Sequence, residues 1–121
     1  MTTVRSTTHV LAVNKLQESA AYFIEVLGFT RDFALAGWEF LSLGAFKVRL
    51  GECPNEIPAR ETNNHSYFAY VEVEQIDGLY ESYQQSGAAL LHELADQPWG
   101  MREFGVVTPE GHRIMFGEVL S

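Results

Sequence analysis

Four histidines and one cysteine are the natural proton carriers, metal ligands and nucleophiles of this 121-residue sequence. His9, His65, His92 and His112 stand far apart. No two have the short regular spacing, such as His-x-x-x-His, that presents two imidazoles to one ion. Each reads as a structural histidine: His9 and His112 fall on strand faces that pack under helices, His65 precedes a strand, and His92 ends one. Cys53 lies in Gly51-Glu52-Cys53-Pro54, with no histidine or second cysteine near it, and reads as a loop thiol. A lone cysteine closes no disulfide within the chain. The sequence carries no Gly-x-Ser-x-Gly, no P-loop and no dinucleotide-binding glycine fingerprint. Glu72 and Glu103 remain as carboxylates whose pKa would rise on burial, which is how a general base is made. Nothing in the sequence shows a proton for either to take, so no catalytic residue and no metal set is assigned.

These residues must be placed by elements that the periodicity makes legible. Thr7 to Val13 is rich in β-branched and apolar residues and reads as a strand. Asn14 suits a helix N-cap. Leu16, Ala20, Phe23, Ile24 and Leu27 then recur at spacings of three and four, one apolar helix face ended by Gly28. Short strands follow over Phe29 to Leu35, Trp38 to Leu43 and Ala45 to Leu50, with Gly37 and Gly44 in the turns. Glu52 to Asn64 carries Pro54 and Pro58, has little periodicity, and reads as a loop. The order then repeats. Ser66 to Val73 is a strand, and Ile76, Leu79, Tyr80 and Tyr83 form a helical stripe stopped by Gly87. Ala88 to His92, Met101 to Val107 and His112 to Val119 are strands, the last two joined by the turn Pro109-Glu110-Gly111. Arg49-Leu50-Gly51-Glu52 closes the first half as Met115-Phe116-Gly117-Glu118 closes the second. Shared element order and shared ends together indicate an internal duplication. The expected architecture is α+β, one domain over residues 1–121, made of two βαβββ modules (about 4–58 and 65–121) whose curved mixed sheets surround a cleft.

Side chains alternate between the two faces of a strand. Leu11, Val13, Leu41, Leu43, Phe46, Val48, Leu50, Ala69, Val71, Ile114 and Phe116 suit packing under the helices. The opposite face then holds Trp38, Phe40, Phe68, Tyr70 and Met115 together with Thr8, Arg49 and Glu72. Large aromatics mixed with a few polar groups suit a ligand cavity, and they equally suit a dimer interface. Both readings stand, and a cleft can lie at an interface.

Composition limits the partners. Hydrophobic residues make up 46%, enough to fill a core without disulfide staples. The formal net charge of −8 disfavours nucleic acid and favours a cationic ligand. No stretch reads as a signal peptide or a membrane span, so a cytoplasmic location is expected.

Two βαβββ modules in about 120 residues resemble the vicinal oxygen chelate superfamily of glyoxalases, extradiol dioxygenases, fosfomycin-resistance enzymes and bleomycin-resistance proteins. The resemblance runs from His9 to Glu118. Val13-Asn14-Lys15-Leu16, Ser19, Tyr22-Phe23 and Val26-Leu27-Gly28-Phe29 are similar to the family's opening pattern. Gln97-Pro98-Trp99-Gly100-Met101-Arg102-Glu103-Phe104, followed by Thr108-Pro109-Glu110-Gly111-His112, is similar to the bleomycin-resistance-protein-like branch.

The resemblance implies metal ligands on the open face of the sheets in the enzymatic members. Those positions fall here on Thr8, Arg49, near Phe68, and Met115, none a ligand for a hard or borderline divalent ion. No cofactor is therefore expected. The resemblance implies instead a homodimer that binds and sequesters a small, planar toxic molecule, with no chemistry. Trp99 is the first candidate contact, as a stacking surface. Trp38, Phe40 and Phe68 would complete an apolar wall with Tyr70, Met101 and Met115, and Glu103 would suit a cationic group. Arg49, with Lys47 and Arg113, departs from that picture and suits an anionic or zwitterionic ligand. The alternative is a lyase or dioxygenase of the same superfamily with displaced ligands, for which His9 and Glu118 or Glu52 would be candidates.

Overall fold

The computed structural model describes residues 1–62 and 67–121; His65 lies outside the described residues. The chain folds as two four-stranded mixed sheets, one per module. The first contains β1 (His9–Val13), β2 (Thr30–Leu35), β3 (Trp38–Leu43) and β4 (Phe46–Glu52), in the order β1-β4-β3-β2. The second contains β5 (Tyr67–Glu72), β6 (Ala89–Asp96), β7 (Met101–Val107) and β8 (Arg113–Val119), in the order β5-β8-β7-β6. In each sheet the outer strand before the helix pairs in parallel with the last strand, and the other pairs are antiparallel. This is the expected α+β pair of βαβββ units.

Alternation places the core as expected. Leu11, Val13, Leu41, Val48, Leu50, Ile114 and Phe116 are buried. Phe104 stacks on Phe116 at 5.3 Å between ring centroids, with Tyr83 edge-on to both. His9 turns to this packing side, 5.6 Å from the Phe46 ring. His112 is buried on the same side, and burial lowers its pKa against the opposing pull of Glu110.

Four local expectations change. The strand before the first helix begins at His9, and the helix α1 (Leu16–Ala21) continues as a π-helical turn, Tyr22–Val26. Asn14 does not cap it by its side chain: its Nδ2 donates to the carbonyls of Cys53 and Glu56, at 3.0 and 2.9 Å. Strand β6 runs on to Asp96 through two register irregularities. The second helix, α2 (Ile76–Ser86), ends on Gly87 at φ 87°, the left-handed stop expected of that glycine.

The modules meet through their packing faces. The Tyr83 hydroxyl donates to the Leu27 carbonyl at 2.7 Å, and Ser86 Oγ to that of Val26 at 2.7 Å. The linker is pinned to the far hairpin by the Arg60 amide donating to the Glu110 carbonyl at 3.0 Å. A Cβ on Gly111 would lie 2.3 Å from the Arg60 nitrogen, so the turn must be glycine there.

Candidate functional site

The register of the two sheets fixes which residues share an open face. Trp38 pairs with Gly51, and Phe40 with Arg49. In the second module Glu103 pairs with Gly117, and Gly105 with Met115. With Gly51 matched to Gly117, as the repeated sequence requires, Trp38 stands where Glu103 stands, Phe40 where Gly105 stands, and Arg49 where Met115 stands.

On the second sheet these positions build a polar cluster around one carboxylate. Glu103 is 7% exposed. Its Oε2 accepts the Tyr70 hydroxyl at 2.6 Å and the Trp99 indole N–H at 3.0 Å. Burial, then the bond to Glu103 and its charge, pushes the Tyr70 phenol pKa well up, so this hydroxyl keeps its proton. Tyr70 reaches Glu103 by lying over Gly117, where a Cβ would sit 1.9 Å from its hydroxyl oxygen. Trp99 is 65% exposed although its N–H is held. The loop Gln97 to Gly100 places it: the Gln97 amide donates to the Met101 carbonyl at 2.8 Å, and the Gly100 amide to Gln97 at 3.0 Å. Gly100 takes φ 87°, which closes this turn at no steric cost. A hollow of about 510 Å³ is lined by Trp99, Glu103, Met115, Gln97, His92, Glu93 and Ala95. A flat ring could lie on the indole there, with a donor turned toward Glu103.

On the first sheet the cluster is cationic. The Arg49 guanidinium carbon lies 4.6 Å from the Phe40 ring centroid and 5.8 Å from that of Trp38. Trp38 folds over Gly51, where a Cβ would meet its ring at 2.8 Å. Lys47 projects from the same face of β4, exposed.

Phe68 is a correction. Strand β5 is bulged between Tyr67 and Ala69. One extra residue reverses the alternation on its far side. Phe68 therefore packs inward, 5.7 Å from His9 and 6.1 Å from both Phe46 and His112. Tyr67 takes the outward place. Its hydroxyl lies 3.0 Å from His92 Nε2, and Arg113 lies over its ring at 5.6 Å. His92 thus borders the hollow; in sequence it read as a mere strand end. A signal for it exists in Gly105, a glycine inside a strand, which marks close approach by another group. A Cβ there would meet Met115 Sδ at 2.7 Å and His92 at 3.4 Å. Met101 shares the alternation of Glu103 on β7 but does not line the hollow.

Among the described residues, no three or more His, Cys, Asp or Glu side chains converge as a metal site. The matched positions on β4 and β8 are Arg49 and Met115, a cation and a thioether, which do not fit a divalent ion bound by oxygen and imidazole. Glu118 and Glu110 are committed elsewhere. Glu118 accepts the Gln75 and Ile76 amides at the start of α2, at 2.9 and 3.0 Å. Glu110 accepts those of Asn14 and Lys15 before α1, at 2.6 and 2.9 Å, and the Ser19 hydroxyl at 3.0 Å. No described helix is long and apolar enough to cross a membrane.

Comparison with known proteins agrees with this architecture. The family model described as Glyoxalase/Bleomycin resistance protein/Dioxygenase superfamily matches residues 6–116. A bleomycin resistance protein of Geobacillus stearothermophilus is 29% identical over 121 aligned positions, spanning 88% of this chain and 90% of that one. The same values hold for a bleomycin resistance protein of Staphylococcus aureus. The bleomycin-binding protein of Streptomyces verticillus, solved with copper(II)-bleomycin, superposes with a TM-score of 0.74 at 20% identity, covering 100% of this chain and 99% of that one. A glyoxalase/bleomycin resistance protein/dioxygenase from Alicyclobacillus acidocaldarius superposes at 0.83 with 14% identity, covering 97% and 92%.

Proposed function

Because the chain belongs to the glyoxalase/bleomycin resistance protein/dioxygenase superfamily, we propose that it binds and sequesters a small, flat toxic molecule without transforming it. The observation that carries this reading is the exposed Trp99 indole, fixed by its bond to buried Glu103 at the rim of a roomy hollow. An aromatic face that is held still yet left open offers stacking area with little ordering cost. Met115 supplies an apolar wall, and Glu103, held by Tyr70, an acceptor for an N–H or cationic group. The 29% identity to bleomycin resistance proteins makes a bleomycin-type glycopeptide the first ligand to try.

The protein acts, on this reading, as a cytoplasmic homodimer. Strand β2 is exposed along its whole length, with Phe33 and Leu35 each 55% exposed. Such an edge is commonly covered by a partner. Sedimentation should show a dimer at micromolar concentration; a stable monomer would count against this part.

The binding reading is tested by titrating the protein with bleomycin while following indole fluorescence. The Trp99→Ala protein should keep its melting temperature and bind roughly thirtyfold more weakly, the loss of a stacking hot spot worth about 2 kcal/mol. Unchanged affinity would show that Trp99 is not the ligand platform.

A further inference from the structure

We propose that Arg49 is an oxyanion subsite, and that the ligand is a flat aromatic compound carrying a carboxylate or similar oxyanion. The proposal rests on the flat-ligand reading above and narrows it.

Arg49 occupies the middle of β4, which is flanked by β1 and β3, so its side chain rises from the centre of a sheet. Phe40 lies directly across from it, and Trp38 covers the neighbouring Gly51. These two rings hold the guanidinium by cation–π contact. They satisfy none of its N–H groups. The Nε is buried and, among the described residues, has no hydrogen-bond partner. Among the described residues no carboxylate forms an ion pair with Arg49. The nearby acidic residue on β3, Glu39, is buried on the opposite side and is taken by Arg31 at 2.5 Å.

A buried donor left without an acceptor opposes folding and calls for an explanation. With its carbon 4.6 and 5.8 Å from two ring centroids and its Nε buried, the guanidinium has its two terminal nitrogens left as the fork that takes a planar oxyanion with two parallel bonds. The aromatic group that carries the oxyanion would then lie against Trp38 and Phe40 on the first sheet, apart from the ring stacked on Trp99. An aromatic clamp on an unpaired arginine is the arrangement expected of a group waiting for an anion. A lysine would not do as well, since it lacks both the fork and the flat face.

The test compares 2-naphthoate with 2-naphthylmethanol, which share the ring and differ in charge, by isothermal calorimetry on the intact protein. The wild type should prefer the anion by about tenfold, the scale of one charge-assisted contact. Arg49→Met should lose that preference while keeping its affinity for the alcohol, and Arg49→Lys should fall between. A preference that persists in Arg49→Met, or a wild type that binds both probes equally, overturns the subsite and leaves the flat-ligand reading standing. Failure of the wild type to bind either probe overturns the subsite, and if bleomycin also fails to bind, the flat-ligand reading falls with it. Sedimentation of Arg49→Met adds one further outcome. If the variant dissociates a wild-type dimer, the partner of Arg49 is a carboxylate of a second copy, and the proposal is wrong.

Discussion

The two open faces share one backbone pattern and carry opposite chemistry. Each has a strand glycine roofed by an aromatic ring, Gly51 by Trp38 and Gly117 by Tyr70. The ring comes from different strands, β3 in the first sheet and β5 in the second. The position opposite the glycine is then Trp38 in one face and Glu103 in the other. One face therefore centres on a cation held by aromatics, the other on an anion held by a phenol and an indole. A duplicated fold thus conserves the register and the space, while the charge at each site is free to diverge. The helices diverge in the same way: α2 is capped by Glu118 of its own sheet, α1 by Glu110 of the other module.

That contrast between helices should give the largest effect. Glu110→Ala leaves two amides and the Ser19 hydroxyl without their acceptor in a buried place, and should cost about 3 kcal/mol in urea unfolding. Glu118→Ala, at a more exposed helix start, should cost less. The pH dependence follows from the same bonds. Burial opposes ionisation of Glu110, but the hydrogen bonds from Asn14, Lys15 and Ser19 outweigh it and hold its pKa below the ordinary 4.5. The amides of Ile76 and Gln75 lower that of Glu118. A lowered carboxyl pKa adds stability that is full above 4.5 and is lost as pH falls through the lower folded value. The gap between wild type and Glu110→Ala should therefore be constant near neutrality and close in acid. A gap that widened in acid would refute the assignment.

A smaller effect should follow from making the anionic face neutral. Glu103→Gln should bind a cationic flat dye roughly tenfold more weakly than wild type, with little change for a neutral one. The same change removes one cause of the raised Tyr70 pKa, so one phenol should titrate at lower pH in ultraviolet absorbance. The smallest effects belong to the roofed glycines. Gly51→Ala and Gly117→Ala should each cost about 1 kcal/mol, because a ring must move. They should part by readout: the first alters indole emission through Trp38 and weakens the naphthoate preference, the second alters the tyrosine titration through Tyr70. Identical readouts would show that the faces are not independent.

Much of this was legible in the residues themselves. The repeat of element order, the packing positions from Leu11 to Phe116, and the outward place of Trp38, Phe40, Arg49 and Tyr70 all follow from strand alternation and helix spacing, which are local rules. The glycine at 87 stopped its helix for an equally local reason, its freedom at positive φ. What the tertiary structure alone decided depends on contacts distant in sequence. The bulge that turns Phe68 inward and Tyr67 outward is one extra residue in a pairing, invisible to alternation until the register with β8 is known. Glu110 read as the middle of a turn, yet it holds the start of α1 from 95 residues away. Trp99, Glu103 and Tyr70 meet because a loop, a central strand and an edge strand bring them together over a glycine. Which polar group satisfies which is a property of three-dimensional proximity, so the face of each residue could be read from the chain, but its partner could not.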